Sequence, residues 1–119
     1  MENQNISLKE QEFIYLGKNS SMQGEFVFEG PTRINSKITG NIKITEGNQI
    51  IFDRHSDING EVYGHDIEIF GKFEGKIHSK GNVVVYPCAS IIGEIKAKNL
   101  IIKPGAQVNI KGEAGQSGV

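Results

Sequence analysis

A chain of 119 residues with 37% hydrophobic content fits one small globular domain and leaves no room for a second. Its formal net charge of −1 supplies no basic surplus to attract a phosphate backbone or an anionic membrane, so no nucleic-acid partner is expected. The longest apolar runs, such as Val83 to Tyr86, fall far short of the roughly 18 residues needed to span a bilayer. Eighteen Ile and 7 Val stand against 3 Leu and 4 Ala, and β-branched side chains lose rotamer freedom in helices, so the composition predicts an all-β fold.

Residues 1–12 lack both a basic start and an apolar core of the kind a secretory signal uses. They are expected to form a disordered tail, and the chain is expected to stay in the cytoplasm. From residue 13 onward one word recurs: MQGEF (22–26), ITGNI (38–42), INGEV (58–62), FEGKI (73–77) and IIGEI (91–95). Its glycines stand at 24, 40, 60, 75 and 93, spaced by 16, 20, 15 and 18 residues, and Val108 follows Ile91 by 17. Between the words lie second apolar pairs: Ile50 and Phe52, Ile67 and Ile69, Val83 and Val85, Leu100 and Ile102. A spacing of two puts both members of a pair on one face of a strand.

A unit of about 17 residues suits one coil of a solenoid, so residues 13–112 are predicted to form a parallel β-helix of about six rungs. Stacking would align Ile38, Ile58, Phe73, Ile91 and Val108 in one inward column and Ile42, Val62, Ile77 and Ile95 in the next. Alternation sends the repeat glycine inward as well, to a corner where a Cβ would crowd its neighbours or a positive φ is needed. The position after the glycine runs Glu25, Asn41, Glu61, Lys76, Glu94, which would bring opposite charges onto adjacent rungs. The longest unit, between Gly40 and Gly60, reads as one rung with an enlarged connection around Glu46 to Asn48. Residues 113–119 are Gly-rich and are expected to be a disordered tail.

Chemistry-bearing motifs are sparse. Cys88 is the single cysteine, and His55, His65 and His78 show no paired spacing of the kind a zinc site uses. Cys88 is therefore expected to pack and the histidines to be solvated, with no metal, no cofactor and no catalytic residue. A phosphate-binding G-x-x-x-x-G-K-[ST] loop is missing, so nucleotide-driven assembly has no support. A hexapeptide-repeat acyltransferase would need spacings in multiples of six. A sugar-cleaving β-helix would need paired carboxylates on one face, and Thr32, Thr39 and Thr45 make no ladder suited to ice binding.

The ends of such a solenoid carry unpaired backbone groups and apolar side chains that recruit another strand unless covered, and neither tail reads as a cap. Stacking would bury Tyr15, Met22, Phe26 and Phe28 at one end and Leu100, Ile102, Val108 and Ile110 at the other. These eight are the candidate polymerisation residues, with plain core as the alternative role for each.

The run YLGKNSSMQGEF (15–26), followed by Phe28-Glu29-Gly30, Arg33-Ile34 and the later Gly60-Glu61-Val62, Gly75-Lys76-Ile77 and Gly93-Glu94-Ile95, resembles a bactofilin over about residues 13–112. The resemblance implies a right-handed β-helix that polymerises end to end into non-polar bacterial filaments without nucleotide. It also implies a scaffold for cell shape or wall machinery, often at the inner face of the cytoplasmic membrane, with the chain itself and wall-synthesis or hydrolysis proteins as partners. Two positions depart from the family pattern: Ile110 stands where a glycine is expected, and Val108 where an aromatic is common. The leader offers only Met1, Ile6 and Leu8 among polar residues, which argues against the membrane-binding element that some members carry. The rival from another class is a monomeric β-helical adaptor that binds a wall-modifying enzyme without forming filaments.

Overall fold

The computed structural model describes residues 4–9, 14–18, 20–45 and 47–114. They form thirteen strands and no helix: β1 (Gln4–Lys9), β2 (Ile14–Leu16), β3 (Ser21–Glu29), β4 (Thr32–Ile34), β5 (Lys37–Ile44), β6 (Gln49–Phe52), β7 (Asp57–Gly64), β8 (Asp66–Ile69), β9 (Lys72–Ser79), β10 (Asn82–Val85), β11 (Ser90–Ala97), β12 (Asn99–Ile102) and β13 (Gln107–Ala114). Odd strands stack in the order β1-β3-β5-β7-β9-β11-β13 and even strands, from β2 to β12, in a second sheet. Every pairing is parallel, so the chain winds as a β-solenoid of about six turns, each taking a long strand and then a short one.

Period-two alternation builds the core. Ile38, Ile58, Phe73, Ile91 and Val108 stand in register from strand to strand, as do Phe26, Ile42, Val62, Ile77 and Ile95. In the short strands Ile50 and Phe52, Ile67 and Ile69, and Val83 and Val85 are buried and face these columns from the other sheet. Two layers of mostly β-branched side chains, with Phe26, Phe28, Phe52 and Phe73 among them, thereby fill the interior, and each turn contributes the same few positions. Corner amides extend the ladder past the strand ends: the amides of Asp53, Phe70, Tyr86 and Lys103 donate to the carbonyls of Ile34, Phe52, Ile69 and Val85 at 2.7–3.0 Å.

The repeat glycines sit in mid-strand, not at a corner, with φ between +135° and +147°. The crowding they relieve runs along the stack. A Cβ built on Gly40, Gly60, Gly75 or Gly93 would lie 1.7–1.9 Å from the carbonyl oxygen of the preceding glycine in the ladder. The extra length between Gly40 and Gly60 falls where expected. There Gly47 has φ +84°, the Asn48 amide donates to the Thr45 carbonyl at 3.2 Å, and the Asn48 side chain donates to Thr45 Oγ1 at 2.8 Å. Glu46 lies outside the described residues.

Several expectations are corrected. Of the stretch 1–12 expected to be disordered, Gln4–Lys9 form β1, parallel to β3 with Ile6 opposite Phe26 and Leu8 opposite Phe28. Residues 1–3 and 10–13 lie outside the described residues, as do 115–119 of the expected C-terminal tail, while β13 continues to Ala114. Cys88 does not pack inside; it is exposed in the turn between β10 and β11. Glu61, Lys76 and Glu94 are in register, yet the single ion pair among the described residues is Arg33–Asp53 at 3.3 Å. Exposed pairs gain little against water and side-chain entropy, so register alone does not close them.

Candidate assembly interface

A solenoid ends in two rungs that each have a neighbour on one side only. At the C-terminal end β13 pairs with β11 and β12 with β10, and both offer their other edge to whatever comes next. Val108 and Ile110 on β13, Ile102 on β12 and Ala106 in the turn between them are only partly covered and pack against the core. Leu100, by contrast, is 2% exposed and belongs to the core. The four candidates at this end therefore gather in space, three of them reaching the surface.

Register places Ile110, one of the two unusual positions of this rung, at the glycine position of the ladder. Ile110 lies opposite Gly93 and Gly112 opposite Ile95, so the terminal strand has its glycine and its isoleucine exchanged relative to β11. Neither word-level periodicity nor composition predicts that exchange.

At the N-terminal end the candidates do not form one surface. Phe26 and Phe28, stacked at 6.2 Å between ring centroids, are 2% and 0% exposed and lie one strand in from the edge, behind β1. Met22 is partly covered. Tyr15 is 52% exposed and shares the outward column of the short-strand sheet with Arg33 and Ile51, so it faces sideways. Edge positions here belong to β1 and β2. The alternation of Ile6 and Leu8 was the one available signal for β1, and two apolar residues without a glycine are too few to mark a rung.

Sequence reasoning also missed the outer aromatics. Tyr63 and His78 stack at 4.6 Å and 5°, and Phe70 and Tyr86 at 4.1 Å and 8°. The members of each pair stand one rung apart in the chain, an offset that could have revealed them. Tyr63 donates to Glu61 Oε1 at 2.6 Å, and that hydrogen bond, followed by desolvation and the Glu61 charge, raises the phenol above its ordinary pKa. Burial, followed by the charge of Glu68, raises Tyr86 in the same direction. Among the described residues no three His, Cys, Asp or Glu side chains gather as a metal site, and no helix is long and apolar enough to cross a membrane.

No match to a curated protein or to a solved structure was found. Residues 14–113, most of the chain and nearly all of the solenoid, match the family model described as Bactofilin: Polymer-forming cytoskeletal. The chain belongs to the bactofilin family of polymer-forming cytoskeletal proteins.

Proposed function

We propose that this chain is a non-enzymatic bacterial scaffold that polymerises end to end without nucleotide, supporting cell shape or placing wall-synthesis or hydrolysis proteins in the cytoplasm or at the inner membrane face. The observation that carries the reading is the C-terminal rung, where two strand edges that pair with no further strand among the described residues and the partly covered Ile102, Val108 and Ile110 lie together. Stacking a second copy there would satisfy the backbone groups of β12 and β13 and bury those side chains, the two gains that make any strand edge adhesive. At the other end an incoming protomer would meet β1 in one sheet and β2 in the other, with Phe26 and Phe28 supporting from behind. Winding is taken as right-handed, the sense in which a twisted strand returns to a parallel neighbour.

The test is negative-stain electron microscopy of purified protein without nucleotide, with sedimentation of the same sample. Straight filaments that pellet are expected. A uniformly soluble monomer over a wide concentration range would refute polymerisation and favour the adaptor.

A further inference from the structure

One outward column of the long-strand sheet differs from the rest of the surface. It runs Val27, Lys43, Tyr63, His78, Lys96 from β3 to β11, in continuous register. Three adjoining depressions, of about 460, 320 and 140 Å³, all share Tyr63 in their walls and follow this column along the stack. Lys43, Lys80 and Lys96 line them, with His65 and His78. Lys80 sits at the corner after β9, and the exposed Lys98 occupies the equivalent corner after β11.

The floor of the trough is built. Tyr63 lies flat on His78, its hydroxyl is held by Glu61, and the Lys43 ammonium stands 5.9 Å from the Tyr63 ring centroid. Gly64 beside it packs against the core, where an added Cβ would come within 2.6 Å of the Ile44 side chain. The charge is uncompensated: none of Lys43, Lys80 and Lys96 has a carboxylate within ion-pair distance among the described residues. Of the nearby acids, Glu61 is committed to Tyr63, Glu25 lines the 460 Å³ depression, and Glu113 on β13 stands in register with Lys96 where the column ends. A chain of net charge −1 thus gathers around one aromatic slab three ammonium groups that have no ion-pair partner among the described residues.

We propose that this trough is a docking site for an extended acidic segment of a partner protein, with carboxylates on Lys43, Lys80 and Lys96 and an apolar or aromatic side chain on the Tyr63–His78 slab. From Lys43 on β5 to Lys96 on β11 is three rung steps, about 14 Å at ~4.8 Å each. An extended peptide covers that span in about four or five residues at ~3.3 Å per residue, which sets a carboxylate at every second or third position. The concave, aromatic-floored shape suits a single chain. A flat anionic membrane meets protruding side chains instead, and a phosphate polymer, charged at every unit, has no apolar side chain to set on the Tyr63–His78 slab or to place beside Glu25 and Glu61. This goes beyond self-assembly and does not depend on it.

The test uses the full chain and a fluorescein-labelled peptide Glu-Phe-Glu-Glu-Phe-Glu, read by anisotropy at low salt, with a Gln-for-Glu version as control. The triple variant Lys43→Gln/Lys80→Gln/Lys96→Gln is compared with a charge-matched triple on other exposed columns, Lys37→Gln/Lys72→Gln/Lys76→Gln. Circular dichroism and pelleting of both variants separate binding from folding and polymerisation. Expected is binding of the Glu peptide over the Gln peptide, weakened roughly tenfold by the first triple and little by the second, as for a few exposed charge pairs. Equal loss in both triples, no preference for Glu over Gln, or stronger displacement by phosphatidylglycerol vesicles or an oligonucleotide than by unlabelled peptide would overturn the proposal.

Discussion

Substituting Gly60 by alanine tests the account of the repeat glycine most directly. Gly60 has φ +147°, and an added Cβ would lie 1.7 Å from the Gly40 carbonyl oxygen. Cβ atoms essentially never come closer than 3.0 Å to such a neighbour, so β5 and β7 must separate locally by about 1.3 Å. That opening is enough to lose the two flanking inter-strand hydrogen bonds, at about 1 kcal/mol each. The positive φ adds about 1–3 kcal/mol of backbone strain, so the variant is expected to lose about 4 kcal/mol. Gly47→Ala supplies the control, because Gly47 also has a positive φ, +84°, but nothing within 4 Å of the added Cβ. It should lose only the strain, about 1–2 kcal/mol. The entropic benefit of alanine in the unfolded chain is common to both and cancels in the comparison. Urea unfolding followed by circular dichroism, at one fixed protein concentration because assembly adds apparent stability, gives the two values. A difference below about 0.5 kcal/mol would refute the close-approach reasoning and leave the ladder as a matter of φ alone.

The other predictions address the end, the phenol and the core. Val108→Asp should leave the strand signal of the protomer intact while abolishing or shortening pelletable filaments; undiminished pelleting would remove the C-terminal rung from the joint. Glu61→Gln should lower the pKa of Tyr63 towards 10.0, read as phenolate absorbance near 295 nm. A carboxylate accepting from the neutral phenol favours the protonated form. Its contribution is therefore complete below the ordinary tyrosine pKa and is lost as pH rises through the raised value. An unchanged alkaline titration in the variant would mean that the hydrogen bond is not made in solution. Phe52→Ala, at a fully buried ring 6.0 Å from that of Phe73, should cost about 3–5 kcal/mol in the same urea assay, and a loss under 1 kcal/mol would deny that this pair fills the core.

The columns were legible because a parallel solenoid converts a vertical contact into a constant offset in the chain. Ile58, Phe73 and Ile91 could be aligned by eye, and the glycine between the apolar flanks marked the register. What the glycine avoids was not legible: the nearest atom is the backbone oxygen of the preceding rung, which no side-chain pattern records. β1 escaped notice because Ile6 and Leu8 alternate for only two positions, and such a short strand is held by the edge it joins, not by its own propensity. Cys88 looked like a packing residue by type, yet Pro87 beside it sits in an exposed turn and carries the cysteine outward. Tyr63 and His78 read as unrelated surface residues until their offset is recognised as one rung.

The ladder has a direction, and this bears on how copies would join. Each added Cβ from Gly40 to Gly93 strikes the glycine of the preceding rung. The ladder of five glycines is bounded by Gln4, opposite Gly24, and by Ile110, opposite Gly93. Both end strands thus carry a Cβ at the ladder position, so no order of stacking continues the glycine register across a joint. A joint between protomers must differ from a rung contact inside one, with fewer close backbone approaches than the interior enjoys. Filaments should accordingly come apart at their joints before protomers unfold. In a urea titration followed both by pelleting and by circular dichroism, pelleting should be lost at clearly lower urea than the strand signal. Coincident transitions would mean that the joint is as strong as an internal rung, and that Gln4 and Ile110 do not interrupt the stack.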